Sequence, residues 1–198
     1  MFNKGKIKHQ LDAKALIYKV PGTAFKKGQT LDIPQGYEAC LFAADGTQEL
    51  IQDVYKHKLE NPVQYIYLSK SNRASVQSKW GTPNRISVKT KTGQDSLGAF
   101  GHIEFQLLNP IRFLEKRSDQ EGHIDEGLLT QLALSRIGEA FQEVLPALEP
   151  IDSTDLNALI KGLKSPLKRT LELKISNYGM SVTDITIDSV NFQREEAS

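Results

Sequence analysis

The chain has 198 residues, 25 basic against 24 acidic side chains, a formal charge of +1 and 39% hydrophobic residues. That length suffices for one domain or two joined subdomains with a buried core. The interspersed charges exclude the concentrated basic surface that a nucleic-acid groove needs, and the single cysteine, Cys40, excludes an internal disulfide and points to a reducing compartment.

No run approaches the roughly 20 apolar residues that cross a bilayer, and Met1 to Gln10 carries four lysine or histidine residues with no apolar stretch behind them. The expectation is a cytoplasmic chain whose association with the cytoplasmic membrane comes through partners, an amphipathic surface or a segment outside these residues. The first half then reads as strands over 15–20, 29–33, 38–43, 49–54 and 63–68. Turn signals separate them: Pro21-Gly22, Pro34-Gln35-Gly36, Asp45-Gly46 and Asn61-Pro62. In the last of these strands Val63, Tyr65 and Tyr67 share one face and Ile66 and Leu68 the other, so it should be covered on both sides. Farther on, Ile103, Phe105 and Leu107 alternate with His102, Glu104 and Gln106, as a strand lying on a core requires, and Asn109-Pro110 ends it.

The period then changes. Leu128, Leu132, Ala133, Ile137, Ala140, Phe141, Val144 and Leu145 predict an amphipathic helix within 124–145, stopped by Pro146. Ser153 or Thr154 is the expected cap of a second helix with Leu156, Leu159, Ile160 and Leu163 on its stripe. Ser165-Pro166 repeats a start signal, so a bend or restart is expected there, followed by a buried side of Leu167, Leu171, Ile175 and Tyr178. Gly179 is the natural left-handed cap through which the chain reverses into an alternating strand over 183–187. The fold class is α+β: a curved, mostly antiparallel sheet packed against two or three helices, as one domain over 1–198 with a strand-rich part (14–114) and a part of helices and final strand (115–192).

Chemistry is sparse. His9, His57, His102 and His123 lie far apart with no second ligand at short spacing, so no metal is expected, and His102 reads as a solvated side chain. Cys40 stands among Ala39, Leu41 and Phe42, which reads as a buried structural thiol. No Gly-x-Ser-x-Gly elbow occurs, and Gly93 to Gly98 lacks the lysine of a phosphate loop and reads as a hairpin turn. Asp119, Glu121, Asp125 and Glu126 around Gly122 do not match a calcium loop and suit the positive end of a following helix instead. Lys161, Lys164, Lys168 and Arg169 give a basic helix face that suits solvent or anionic lipid headgroups. Trp80, the only tryptophan, either closes a core or sits on an interface.

Trp80-Gly81-Thr82-Pro83, the Gly101-x-x-x-Phe105-x-Leu107 strand closed by Asn109-Pro110, and Asn177-Tyr178-Gly179 leading into the strand over 182–192 together resemble the SPFH/band 7 domain of stomatins, prohibitins and flotillins. The Trp-Gly-Thr-Pro turn resembles most the bacterial virion-core-protein-like branch. The resemblance spans roughly 16–192. It implies a non-catalytic scaffold that forms homo-oligomers and tethers partners at or near the cytoplasmic membrane, with membrane-stress proteins among them, and that needs no cofactor and no nucleic acid. Relatives usually carry an N-terminal membrane anchor and a long assembly helix after the last strand, and some carry a zinc ribbon; none of these patterns is spelled out in the 198 residues. Trp80, Phe113, Phe141, Lys161, Lys164, Lys168 and Arg169 are the expected contact residues. The competing expectation is a small-molecule-binding domain or enzyme with a site dispersed over loops, using His57, Asp95 or His102.

Overall fold

The computed structural model of the chain describes residues 6–11, 15–22, 24–71, 73–116 and 123–194. Seven strands come first: β1 (Lys6–Ile7), β2 (Ile17–Lys19), β3 (Thr30–Asp32), β4 (Tyr37–Phe42), β5 (Gln48–Ile51), β6 (Lys56–Lys58) and β7 (Tyr65–Lys70). Then follow β8 (Val76–Gly81), β9 (Ile86–Thr90), the long β10 (Gly93–Leu107), α1 (Pro110–Lys116) and β11 (His123–Ile124). The chain closes with α2 (Glu126–Val144), a 3-10 turn (Leu145–Leu148), α3 (Leu156–Ser176) and β12 (Met180–Arg194).

These elements form two compact units. The first joins the residues up to Ala74 with Asn109–Leu129, and the second joins Ser75–Leu108 with Thr130–Ser198. Strands and helices therefore do not separate at residue 114: β8, β9 and β10 belong with α3 and β12.

In the first unit, a five-stranded sheet of order β11-β2-β7-β4-β5 and a three-stranded sheet of order β1-β3-β6 share an apolar interior. Ala39 and Leu41 of β4 stand beside Leu68 and Ile66 of β7 on one face, and Ile7, Leu31 and Leu59 join their cluster. The opposite face of the same strands, with Glu38, Cys40, Tyr67 and Ser69, is buried too, as the doubly apolar reading of β7 requires. Asp45-Gly46 makes the β4–β5 hairpin, with Gly46 at a φ of 86°. Pro110 opens α1, and Asn109 caps it by accepting the Arg112 N–H at 3.0 Å.

In the second unit, β10 runs antiparallel to β12 from Asp95 to Leu107, while β8 and β9 pair with successive halves of its other edge. Gly93 to Gly98 is therefore strand, and the turn lies just ahead at Lys91 and Thr92. Gly179 has a φ of 68° and turns α3 into β12.

Helix details differ from expectation in physical ways. On α2 the buried stripe is Leu129, Ala133, Ile137, Ala140, Phe141 and Val144, whereas Leu128 and Leu132 are only half-buried on its flank. Asp125 caps this helix by accepting the Leu128 N–H at 2.9 Å; Asp119, Glu121 and Gly122 of the acidic cluster lie outside the described residues. Neither Ser153 nor Thr154 caps α3. Asp155 does, accepting the Ala158 N–H at 2.9 Å, while Asp152 holds Thr154 in the preceding turn. Nor does α3 restart at Pro166. Proline there removes the bond to the Gly162 carbonyl, yet Leu159, Leu163, Leu167, Leu171 and Ile175, all buried and four apart, hold both halves on one apolar line.

Candidate functional site

The residues that carry the resemblance converge on the β8–β10–β12 ribbon. β10 and β12 lose register twice, between Phe100 and Gly101 and between Glu104 and Phe105. Since Gly101 pairs with Ile187 and Phe100 with Ser189, Asp188 is the extra residue of the first bulge; Thr183 is that of the second. Both are pinned. The Asp188 carboxylate meets His102 Nδ1 at 2.7 Å and accepts from the Thr186 hydroxyl at 3.0 Å. The Thr183 carbonyl accepts from Lys168 at 2.5 Å.

Trp80 stands opposite Gly101 on β8, and its indole N–H donates to the Thr186 carbonyl on β12 at 3.2 Å. The indole reaches that far because Gly101 has no side chain between them. Its ring also packs 5.5 Å from that of Phe141 on α2, and only 4% of Trp80 is exposed. Thr82 ties the strand end to Ala99 twice, through its own N–H at 2.9 Å and its hydroxyl at 3.2 Å. Pro83 packs beside Gly138 of α2. Arg85 repeats the indole's arrangement at Gly98: its guanidinium donates to Ser96 O at 3.2 Å and to Asn191 O on β12 at 3.3 Å. Trp-Gly-Thr-Pro is thus a clamp that fastens β8 and α2 onto a bulged ribbon.

This geometry corrects the expected contact residues. Trp80, Phe113 and Phe141 are core side chains, Phe113 and Phe141 without exposed surface, so they have none to offer a partner. The basic face of α3 is partly consumed: Lys168 pins Thr183 and Lys164 pairs with Asp184 at 3.3 Å. Burial acts to raise the Asp184 carboxyl, but the Ile185 N–H and the Lys164 and Lys168 ammonium groups outweigh it and hold the group below its ordinary range. Glu172 fills the same side by accepting from Val182 N–H and the Ser181 hydroxyl. Lys161 and Arg169 remain exposed with no ion pair among the described residues.

Asp95 and His102, two residues of the dispersed site, do not meet. Asp95 is buried at the start of β10, 2.9 Å from the Thr90 hydroxyl, whereas His102 sits seven residues along the same strand, roughly 24 Å away at strand spacing. His57 belongs to the first unit, where it lines an open groove of about 510 Å³ with a floor of Leu41, Leu59 and Val63 and a rim of Asp45, Glu49 and Glu60.

Cys40 is fully buried on β4. Burial, and secondarily the Glu38 carboxylate, push its thiol from about 9 up to about 12, against the opposing Arg73 guanidinium. The thiol is therefore neutral when folded but ionises when unfolded at about pH 9, so folding stability falls as pH rises between about 9 and about 12. At pH 8 the folded protein should resist a thiol-specific reagent and react stoichiometrically only in denaturant; fast labelling of the folded form would contradict this burial.

The Glu38 and Arg73 pair escaped the sequence reading. Arg73 donates to Glu38, to Ser69 Oγ at 3.0 Å and to Lys70 O at 2.7 Å, and Gln52 donates to Glu38 at 2.8 Å. A glutamate inside the apolar run of β4 was the one available signal.

Compared with known proteins, the chain matches the family model described as SPFH domain-Band 7 family over residues 49–197. A search of curated proteins finds no match.

Proposed function

The chain belongs to the SPFH domain-Band 7 family, and from that premise we propose that it is a non-catalytic assembly module that self-associates and tethers partner proteins on the cytoplasmic side of a membrane. Membership supports a scaffold-type, membrane-associated role in general terms, and the match over 49–197 is the observation that carries the reading. It runs from within β5 onward and includes the whole clamped ribbon.

The ribbon is suited to bearing load. Two pinned bulges, an indole and a guanidinium laid across glycines, and helix side chains bonded to β12 fix one arrangement of backbone. Such over-determination gives a rigid surface that can repeat from copy to copy, and repetition of one rigid contact builds rings or filaments. Tethering in this reading uses a surface; no helix among the described residues is long and apolar enough to cross a membrane.

Sedimentation velocity of the full chain from low to high micromolar concentration tests this. A concentration-dependent shift to species larger than the monomer is expected. One observation favours a second reading, binding of a small cationic ligand: the groove in which His57 stands among Asp45, Glu49 and Glu60 above an apolar floor. A strict monomer throughout the series would favour that reading.

A further inference from the structure

We propose that the outer face of the β1-β3-β6 sheet, with Val54 and Tyr55 at its end, docks on the surface of an anionic lipid bilayer. This rests on the reading that the protein works at a membrane, and it replaces the basic face of α3 as the lipid contact.

The register defines the face. Lys6 and Lys58 flank Thr30 in one row of the sheet, and Lys56 stands beside Asp32 in the next. Leu31, between Thr30 and Asp32, points inward and is fully buried, so Lys6, Lys56 and Lys58 project outward together. Lys8 follows β1, and Lys26 and Lys27 sit in the turn ahead of β3; Lys27 and Lys58 line the same shallow concavity. Only Lys6 is engaged, with Asp32; the other five form no ion pair among the described residues. The segments that carry these six lysines, 6–8, 26–32 and 53–60, hold three carboxylates: Asp32, Asp53 and Glu60.

An apolar tip adjoins these charges. Asp53 adopts a left-handed φ of 56°, after which Val54 and Tyr55 are 41% and 67% exposed, the only such neighbouring pair of large apolar side chains among the described residues. The tip is held in place, since the Ile33 N–H donates to Tyr55 O at 2.9 Å. Lysines that meet headgroup phosphates, beside an aliphatic and an aromatic side chain at the depth of the headgroups, form the combination an interfacial membrane contact uses. A free phosphate would leave Val54 and Tyr55 without a role.

Vesicle flotation of the full chain separates the alternatives. The protein should float with phosphatidylcholine vesicles containing about 30 mol per cent phosphatidylserine, but not with phosphatidylcholine alone, and should be released by about 0.5 M salt. K56Q/K58Q and, separately, Tyr55→Ser should each weaken flotation about tenfold, while K161Q/R169Q should not. All are surface changes, and circular dichroism confirms folding. Flotation that K56Q/K58Q leaves unchanged, loss confined to K161Q/R169Q, or equally tight binding to duplex DNA overturns the proposal. The variants are also followed by sedimentation velocity. Assembly without flotation sinks this inference alone, and flotation without assembly sinks the assembly reading alone.

Discussion

Replacing Gly101 by alanine is expected to destabilise the second unit by about 3 kcal/mol or more. A Cβ at that position would lie 2.0 Å from the Thr186 carbonyl oxygen, 2.8 Å from its carbon and 3.1 Å from Ile187 Cα. All three atoms are backbone, so no rotamer change relieves the overlap. β10 and β12 would have to separate at the first bulge, which loosens the Trp80 bond to Thr186 O and uncouples His102 from Asp188. Two other glycines grade the effect. At Gly98 the nearest atoms are the side chains of Asn191, at 3.0 Å, and Arg85, at 3.3 Å, which move more easily. At Gly81 the nearest atom is 3.7 Å away, an ordinary contact. Denaturant unfolding followed by the fluorescence of Trp80 should therefore rank the alanine variants Gly81, Gly98, Gly101 in rising cost. Equal midpoints for Gly81→Ala and Gly101→Ala would refute the clamp.

Arg73→Met should cost the first unit about 3–5 kcal/mol, because Glu38 is then left as a buried carboxylate with Gln52 as its remaining donor in the quartet. The magnitude follows from the cost of stranding one charge, not from the worth of the pair. Changing both partners together, R73M with E38M, should recover most of the loss, since a buried ion pair replaced by apolar side chains of similar volume is often neutral. The double-mutant cycle is read by hydrogen exchange of the β4 and β7 amides. If the double variant is as unstable as R73M alone, packing around Arg73 rather than charge controls this region.

Elements built on a regular period were legible from the residues. Ile103, Phe105 and Leu107 alternate because one face of β10 lies on a core; Gly179 takes a conformation other residues resist; Asp45-Gly46 can hardly be anything but a tight turn. Resemblance added the family. What stayed hidden depends on contacts between distant residues. β6 is three polar residues, Lys56-His57-Lys58, whose strand character comes from pairing with β3. The salt bridge of Arg73 with Glu38 joins positions 35 apart. Ser165-Pro166 carries a local restart signal that five buried side chains override.

The candidate site was legible in composition but not in use. Lysines at helical spacing on α3 read as one basic face, yet Lys164 and Lys168 are turned to β12, and the residue that claims Lys168 is the bulged Thr183, which no spacing rule locates. Trp80 reads from the residues as closing a core or meeting a partner; Gly101 decides between them, by leaving room for the indole to cross to Thr186. Val54 reads from the residues as the end of a strand over 49–54, but that strand stops at Ile51, and only the fold shows Val54 and Tyr55 exposed beside a row of lysines.

Self-association is the claim on which the functional account stands, and a sedimentation-velocity series on the full chain measures it directly. The account predicts a boundary that moves to larger species as concentration rises, in wild type and in K56Q/K58Q alike. A single monomer boundary across the whole range, in protein whose Trp80 emission shows it folded, would contradict it.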